Sequence, residues 1–212
     1  MDKVYNYDNK LVRIMGKLAD LIWLQFLTLL CCLPILTIGT AFTAMHKILL
    51  QLRRKEEGAI TREYFRAFRS NLGQGILIWL LYVIIFFALY LDKTLLSGGA
   101  EGSVFQIMQY VLAVVSVLII ISLAWVFVVL SRYHNTFWGT LRSAFLMGLS
   151  YPLHSIAMII LALLPLLLLL WSMRTLPVVV LLGFTLPGYL QAFIYSGIFE
   201  KLEKASSEAA SE

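Results

Sequence analysis

The chain has 212 residues, 60% of them hydrophobic and 14% charged, with a formal net charge of +5 and a mean hydropathy of +0.85. A single soluble core of this size could not hide so much apolar surface. The basic balance needs no nucleic acid to explain it, because cations gather at the cytoplasmic ends of membrane helices.

Setting histidine aside, charge-free stretches run from Leu21 to Met45, Ser70 to Leu91, Gly102 to Ser131, Ser143 to Met173 and Thr175 to Phe199. Each exceeds the roughly 20 residues that cross about 30 Å of hydrocarbon. The runs are too long and too aromatic to alternate as barrel strands. The pattern predicts an all-α, polytopic helical membrane bundle with about six membrane helices. Residues 1–199 form one membrane-embedded domain, and 200–212 are a polar, disordered cytoplasmic tail.

In chain order, the first apolar run follows some twenty mostly polar residues and precedes no small-residue cleavage site, unlike a secretory signal. Residues 21–45 either cross once or turn back at Leu33-Pro34 through Gly39. A single crossing exports the basic N-terminus with Lys3, Lys10, Arg13 and Lys17. A hairpin over residues 18–56 leaves only Lys93 and Arg174 outside and keeps both termini in the cytoplasm. The second pattern predicts a multi-pass membrane protein with a helical hairpin at its N-terminus. Pro34 lacks the N–H of a helix interior and disfavours helix at Leu33, while Gly39 permits a bend.

The return limb is amphipathic. Ala41, Met45, Ile48, Leu49 and Leu52 share one face, and Thr43, His46, Lys47, Gln51 and Arg54 the other. If embedded, the polar face looks into the bundle or a wet cavity. Gln25, Pro34, Thr37, Gly39, Thr43, His46 and Lys47 are therefore the candidate hairpin and cavity-lining residues. Cys31 and Cys32 are adjacent and have no His or carboxylate at ligand spacing, so they read as apolar fillers and no metal site is expected.

"TREYFRAFRSNLGQG", residues 61–75, follows. It predicts a short cytoplasmic amphipathic helix over 61–72, with Thr61 as its cap. Tyr64, Phe65, Phe68 and Leu72 form one stripe and Arg62, Arg66 and Arg69 the opposite one. Such a helix suits the bilayer surface, with rings in the interface and guanidinium groups on anionic headgroups, or a cytoplasmic partner. A similar segment, "NTFWGTLRSAFLMG" at residues 135–148, leads into the next-to-last span and hints at two related halves.

The later spans carry little chemistry. Pro165 and Pro187 kink their helices and free carbonyls for bonding. Gln25 and Gln191 read as interhelical bonders, and His154 as an interfacial residue near a helix start. No phosphate loop, nucleophile elbow, zinc motif or paired carboxylate occurs in a span, so no enzyme and no cofactor is expected.

Trp23, Leu33-Pro34-Ile35, Thr37-Ile38-Gly39, Glu56-Glu57-Gly58 and the run Phe65 to Asn71 resemble the YesL-like family of uncharacterised bacterial integral membrane proteins. The likeness is distinctive over about residues 18–80 and departs at Gln25, where the family often carries Asn. The resemblance implies an accessory role in carbohydrate uptake beside sugar ABC-transporter subunits, and a small solute transporter or channel is the alternative.

Overall fold

A computed structural model describes residues 2–54, 58–97, 103–133 and 136–209. The Glu56-Glu57 turn, loop residues 98–102, Asn135 and tail residues 210–212 lie outside the described residues. Among the described residues the chain forms nine α-helices and two short 3-10 turns, with no strand. Among the described residues five helices are long and apolar enough to cross a membrane, and there are six such spans if the bent pair is counted as one. The all-α polytopic bundle expected from the charge-free stretches is the fold observed.

Helix α1 (Asp2–Cys32) stops where proline chemistry requires it. Pro34 holds an extended backbone (φ −75°, ψ 114°) and opens a 3-10 turn over Ile35–Thr37. The Thr37 hydroxyl lies 2.6 Å from Cys31 O and 2.7 Å from Pro34 O, within reach of carbonyls that the helix end would leave unpaired. Helix α2 (Ile38–Arg54) then returns, completing the predicted hairpin.

Helix α2 is the hub, packed on α1, α3 (Ile60–Ser70), α4 (Leu72–Ser97), α5 (Ser103–Arg132) and α9 (Thr185–Ala209). Within its apolar window 56% is buried, against 17% for α4, so the polar face foreseen on the wheel meets protein on most sides. Two glycines let α2 and α4 touch. A Cβ on Gly39 would sit 2.7 Å from Gly75 O, and one on Gly75 would sit 2.5 Å from Thr40 Oγ1. Thr40 Oγ1 donates to Leu72 O across this contact (3.3 Å).

Helix α3 doubles back along the hairpin. Trp23 Nε1 donates to Thr61 Oγ1 (2.9 Å), and the Tyr64 hydroxyl donates to Ala41 O (3.4 Å). Asn71 alone separates α3 from α4, so α4 begins beside the bend of the hairpin. The second half repeats this order. Helix α6 (Phe137–Ser150), capped by Thr136, folds back on α5, with Gly148 against Ile121. Tyr151 alone separates it from α7 (Pro152–Trp171). Backbone bonds match as well: Asn71 N to Ala67 O and Gly75 N to Asn71 O, then Tyr151 N to Met147 O and Ser155 N to Tyr151 O. The weak sequence echo thus corresponds to two like units of long helix, short return helix and long helix.

After α7 a 3-10 turn (Met173–Thr175) and α8 (Leu176–Leu182) lead to α9. Sequence reasoning expects one helix kinked by Pro187. Instead the span is broken at Gly183-Phe184 with a 54° bend, and Pro187 sits in the first turn of α9. An amide there has no intrahelical acceptor, so the missing N–H costs nothing. Helix α9 runs to Ala209, through most of the segment expected as a disordered tail.

Candidate functional site

The break between α8 and α9 leaves backbone groups unpaired inside the bundle, and Gln25 meets them. Its side chain is fully buried. Its Oε1 accepts from Phe184 N (3.2 Å) and Thr185 N (3.0 Å), and its Nε2 donates to Val179 O (3.4 Å). One amide therefore ties both sides of the broken helix, satisfying two donors at a helix start and adding a second bond to Val179 O, which also accepts from Gly183 N (2.8 Å). The Thr185 hydroxyl beside it is buried without a hydrogen-bond partner.

A cavity of about 310 Å3 lies against this break, between α2, α4, α5, α7 and α9. Phe42, Trp79, Phe127 and Phe184 supply much of its aromatic wall. Its polar side chains are His46 and Gln191. The His46 ring packs edge-on to Tyr195, with Nδ1 3.5 Å from the tyrosine hydroxyl. Gln191 Nε2 donates to Met158 O (2.8 Å), joining α9 to α7 as an interhelical bond.

Among the residues proposed from sequence to line the hairpin or a cavity, only His46 lines this cavity. Gln25 closes the helix break. Pro34 and Thr37 form the bend, and Gly39 is packed on Gly75. Thr43 is buried and bonds back to Gly39 O of its own helix (2.8 Å). Lys47 is half-buried and off the cavity wall. Sequence reasoning missed Phe42, Trp79, Phe127 and Phe184, whose only signal was aromatic character shared with many neighbours.

Helix α3 places its two faces differently from expectation. Tyr64 is fully buried against the hairpin, and Phe65 and Phe68 pack against the core beside it. The Tyr64 ring is thus covered by the protein itself, whereas Phe65 and Phe68 are half-buried and keep part of each ring exposed. Burial raises the Tyr64 hydroxyl's pKa above its ordinary value. Arg62, Arg66 and Arg69 are exposed, as the wheel requires. Arg66 pairs with Glu63 (2.9 Å), and among the described residues no hydrogen bond or ion pair holds Arg62 or Arg69.

Broad apolar surface on α5 and α7 completes the picture: Tyr110 is 74% exposed, Leu167 58% and Leu170 75%. Faces of this kind on spans of this length suit the hydrocarbon of a bilayer. The fold is that of a multi-pass helical membrane protein. Residues 18–93, from the end of α1's polar half into α4, match the model of a family described as "Protein of unknown function, DUF624". No curated protein and no solved structure matches the chain.

Proposed function

We propose that this chain is a YesL-like, non-enzymatic accessory protein of the bacterial cell membrane, with both termini in the cytoplasm, acting beside a sugar ABC-type uptake system. The observation that supports the reading is the divided surface of α3. Its aromatic face is held by the hairpin, so the Arg62, Arg66 and Arg69 face is a rigidly mounted row of guanidinium groups. Such a row suits acidic groups on a permease subunit or anionic headgroups. The family resemblance supplies the carbohydrate context.

Affinity purification of the full chain in mild detergent tests it. Permease subunits should co-purify, and the triple change R62A/R66A/R69A should release them. Failure to recover any permease subunit, together with unchanged sugar uptake in a deletion strain, overturns the proposal.

A second reading, a small solute transporter, is favoured by the broken helix beside a cavity, an arrangement used by membrane transport proteins. The apolar wall weighs against a hydrophilic cargo. Liposomes holding the purified chain should accumulate a sugar unaided under this reading and stay inert under the first.

A further inference from the structure

The cavity differs in kind from the other internal space of the bundle. A second cavity, about 350 Å3, lies among α4, α5 and α6, and its polar side chains Tyr82 and Ser122 bond each other at 2.7 Å. That wall asks for nothing more. The cavity at the helix break is otherwise. Pro165, inside α7, removes the amide that would bond Leu161 O, and both residues line the cavity. With Gln191 Nε2 held by Met158 O, the Gln191 Oε1 is left as an acceptor. Among the described residues no hydrogen bond reaches His46 Nε2.

We propose that this cavity is a binding site for a neutral lipid carrying a free hydroxyl, such as a long-chain alcohol or an acylglycerol. Three features select that class. Among the described residues no Asp, Glu, Lys or Arg lines the cavity, so a charged headgroup would enter unpaired at a cost of several kcal/mol. Leu161 O and the Gln191 Oε1 are acceptors on this wall, which an O–H donor would satisfy. The rest of the wall is hydrocarbon and aromatic, so a sugar would leave most of its hydroxyls unmatched. Water fits no better: filled with liquid, the volume would take roughly ten molecules, more than these acceptors could bond.

The route of entry points the same way. Ile120 and Leu163 line the cavity and are also 38% and 45% exposed on the outer faces of α5 and α7. Ala162 lines it between them and is exposed as well. The mouth therefore opens on the surface that faces hydrocarbon, and a bilayer component reaches it without passing through water. This inference is independent of the arginine face of α3.

The test uses the full chain in nanodiscs and hexadecanol bearing a diazirine. Photolysis should label peptides within residues 158–165 or 183–191. Unlabelled hexadecanol should compete about tenfold better than its methyl ether or palmitate, since neither supplies a neutral O–H donor. A162F, which narrows the mouth at an exposed position, should abolish labelling while leaving the melting temperature unchanged. L167F, an exposed change away from the cavity, should label like the wild type. Labelling confined to peptides that do not line the cavity, equal competition by the ether, or equal labelling of A162F and L167F would each overturn the proposal.

Discussion

Gln25 Oε1 accepts a hydrogen bond from Thr185 N at 3.0 Å, across 160 positions of sequence. With the bonds to Phe184 N and Val179 O, this side chain joins the first helix to both halves of the last span. Replacing it with Leu keeps the volume and removes all three bonds, leaving two amides unpaired in the bundle while Val179 O keeps its bond from Gly183 N. Q25L should lower stability by about 2–4 kcal/mol, measured by equilibrium unfolding in mixed micelles. Q25N keeps the chemistry with a shorter reach and should fall between. A Q25L protein as stable as wild type would mean that water, not the glutamine, satisfies the break.

Thr185 supplies the opposite case a few ångströms away. Its hydroxyl is buried and makes no hydrogen bond, so its desolvation is uncompensated. T185V keeps the shape and deletes the unpaired group. The variant should be at least as stable as wild type, with a gain of about 1 kcal/mol in the same micelle assay. A loss would show that the hydroxyl has a partner in the membrane.

The Gly39–Gly75 contact sets the distance between α2 and α4. Backbone atoms, which cannot rotate aside, meet the missing Cβ atoms here. G39A and G75A should each destabilise by about 1–3 kcal/mol. Gly16 has open space around it, and G16A should stabilise by about 0.5–1 kcal/mol through helix propensity alone. Melting temperatures of the three variants in one detergent decide the matter, and similar values for all three would refute the close approach.

How much of this was legible depended on how local each cause was. The hairpin bend rests on Pro34, Gly39 and Thr37 within a few residues, and the sequence reading reached it. The break at Gly183-Phe184 lies inside a charge-free run, where hydropathy is blind to backbone continuity, and its stabiliser sits on another helix. The α3 stripe was legible as a stripe. Periodicity says that Tyr64, Phe65 and Phe68 share a face, but it cannot say how far protein covers them, and here Tyr64 is buried while Phe65 and Phe68 are half-buried. His46 was readable as an inward polar residue, whereas the aromatic wall facing it comes from three distant segments.

Tyr64 makes the burial of that stripe measurable by pH. The hydroxyl's pKa is raised, first by desolvation, so the folded protein holds it neutral when an unfolded tyrosine would ionise. Below about pH 10 both states are neutral and the group is silent. Above that value the unfolded state releases a proton that the folded state keeps, and stability falls with rising pH. Y64F should therefore match wild type within about 1 kcal/mol at pH 7 and lose stability less steeply between pH 10 and 12. Parallel curves for the two proteins across that range would place the Tyr64 hydroxyl in water.

The backward course of α3 constrains topology. Its 11 residues cover about 16 Å, near half the hydrocarbon thickness, so α3 cannot carry the chain from one membrane face to the other. It instead returns the chain to the bend, where Thr40 Oγ1 donates to Leu72 O. The bend and the start of α4 should therefore report the same side of the membrane. Single cysteines at Leu36 and Leu72, both exposed, test this in a background with Cys31 and Cys32 changed to alanine. An impermeant thiol reagent applied to intact cells and to inverted vesicles should label the two positions in the same preparation. Reaction from opposite sides would separate the hairpin bend from α4 and rule out the packing of α3 along α2.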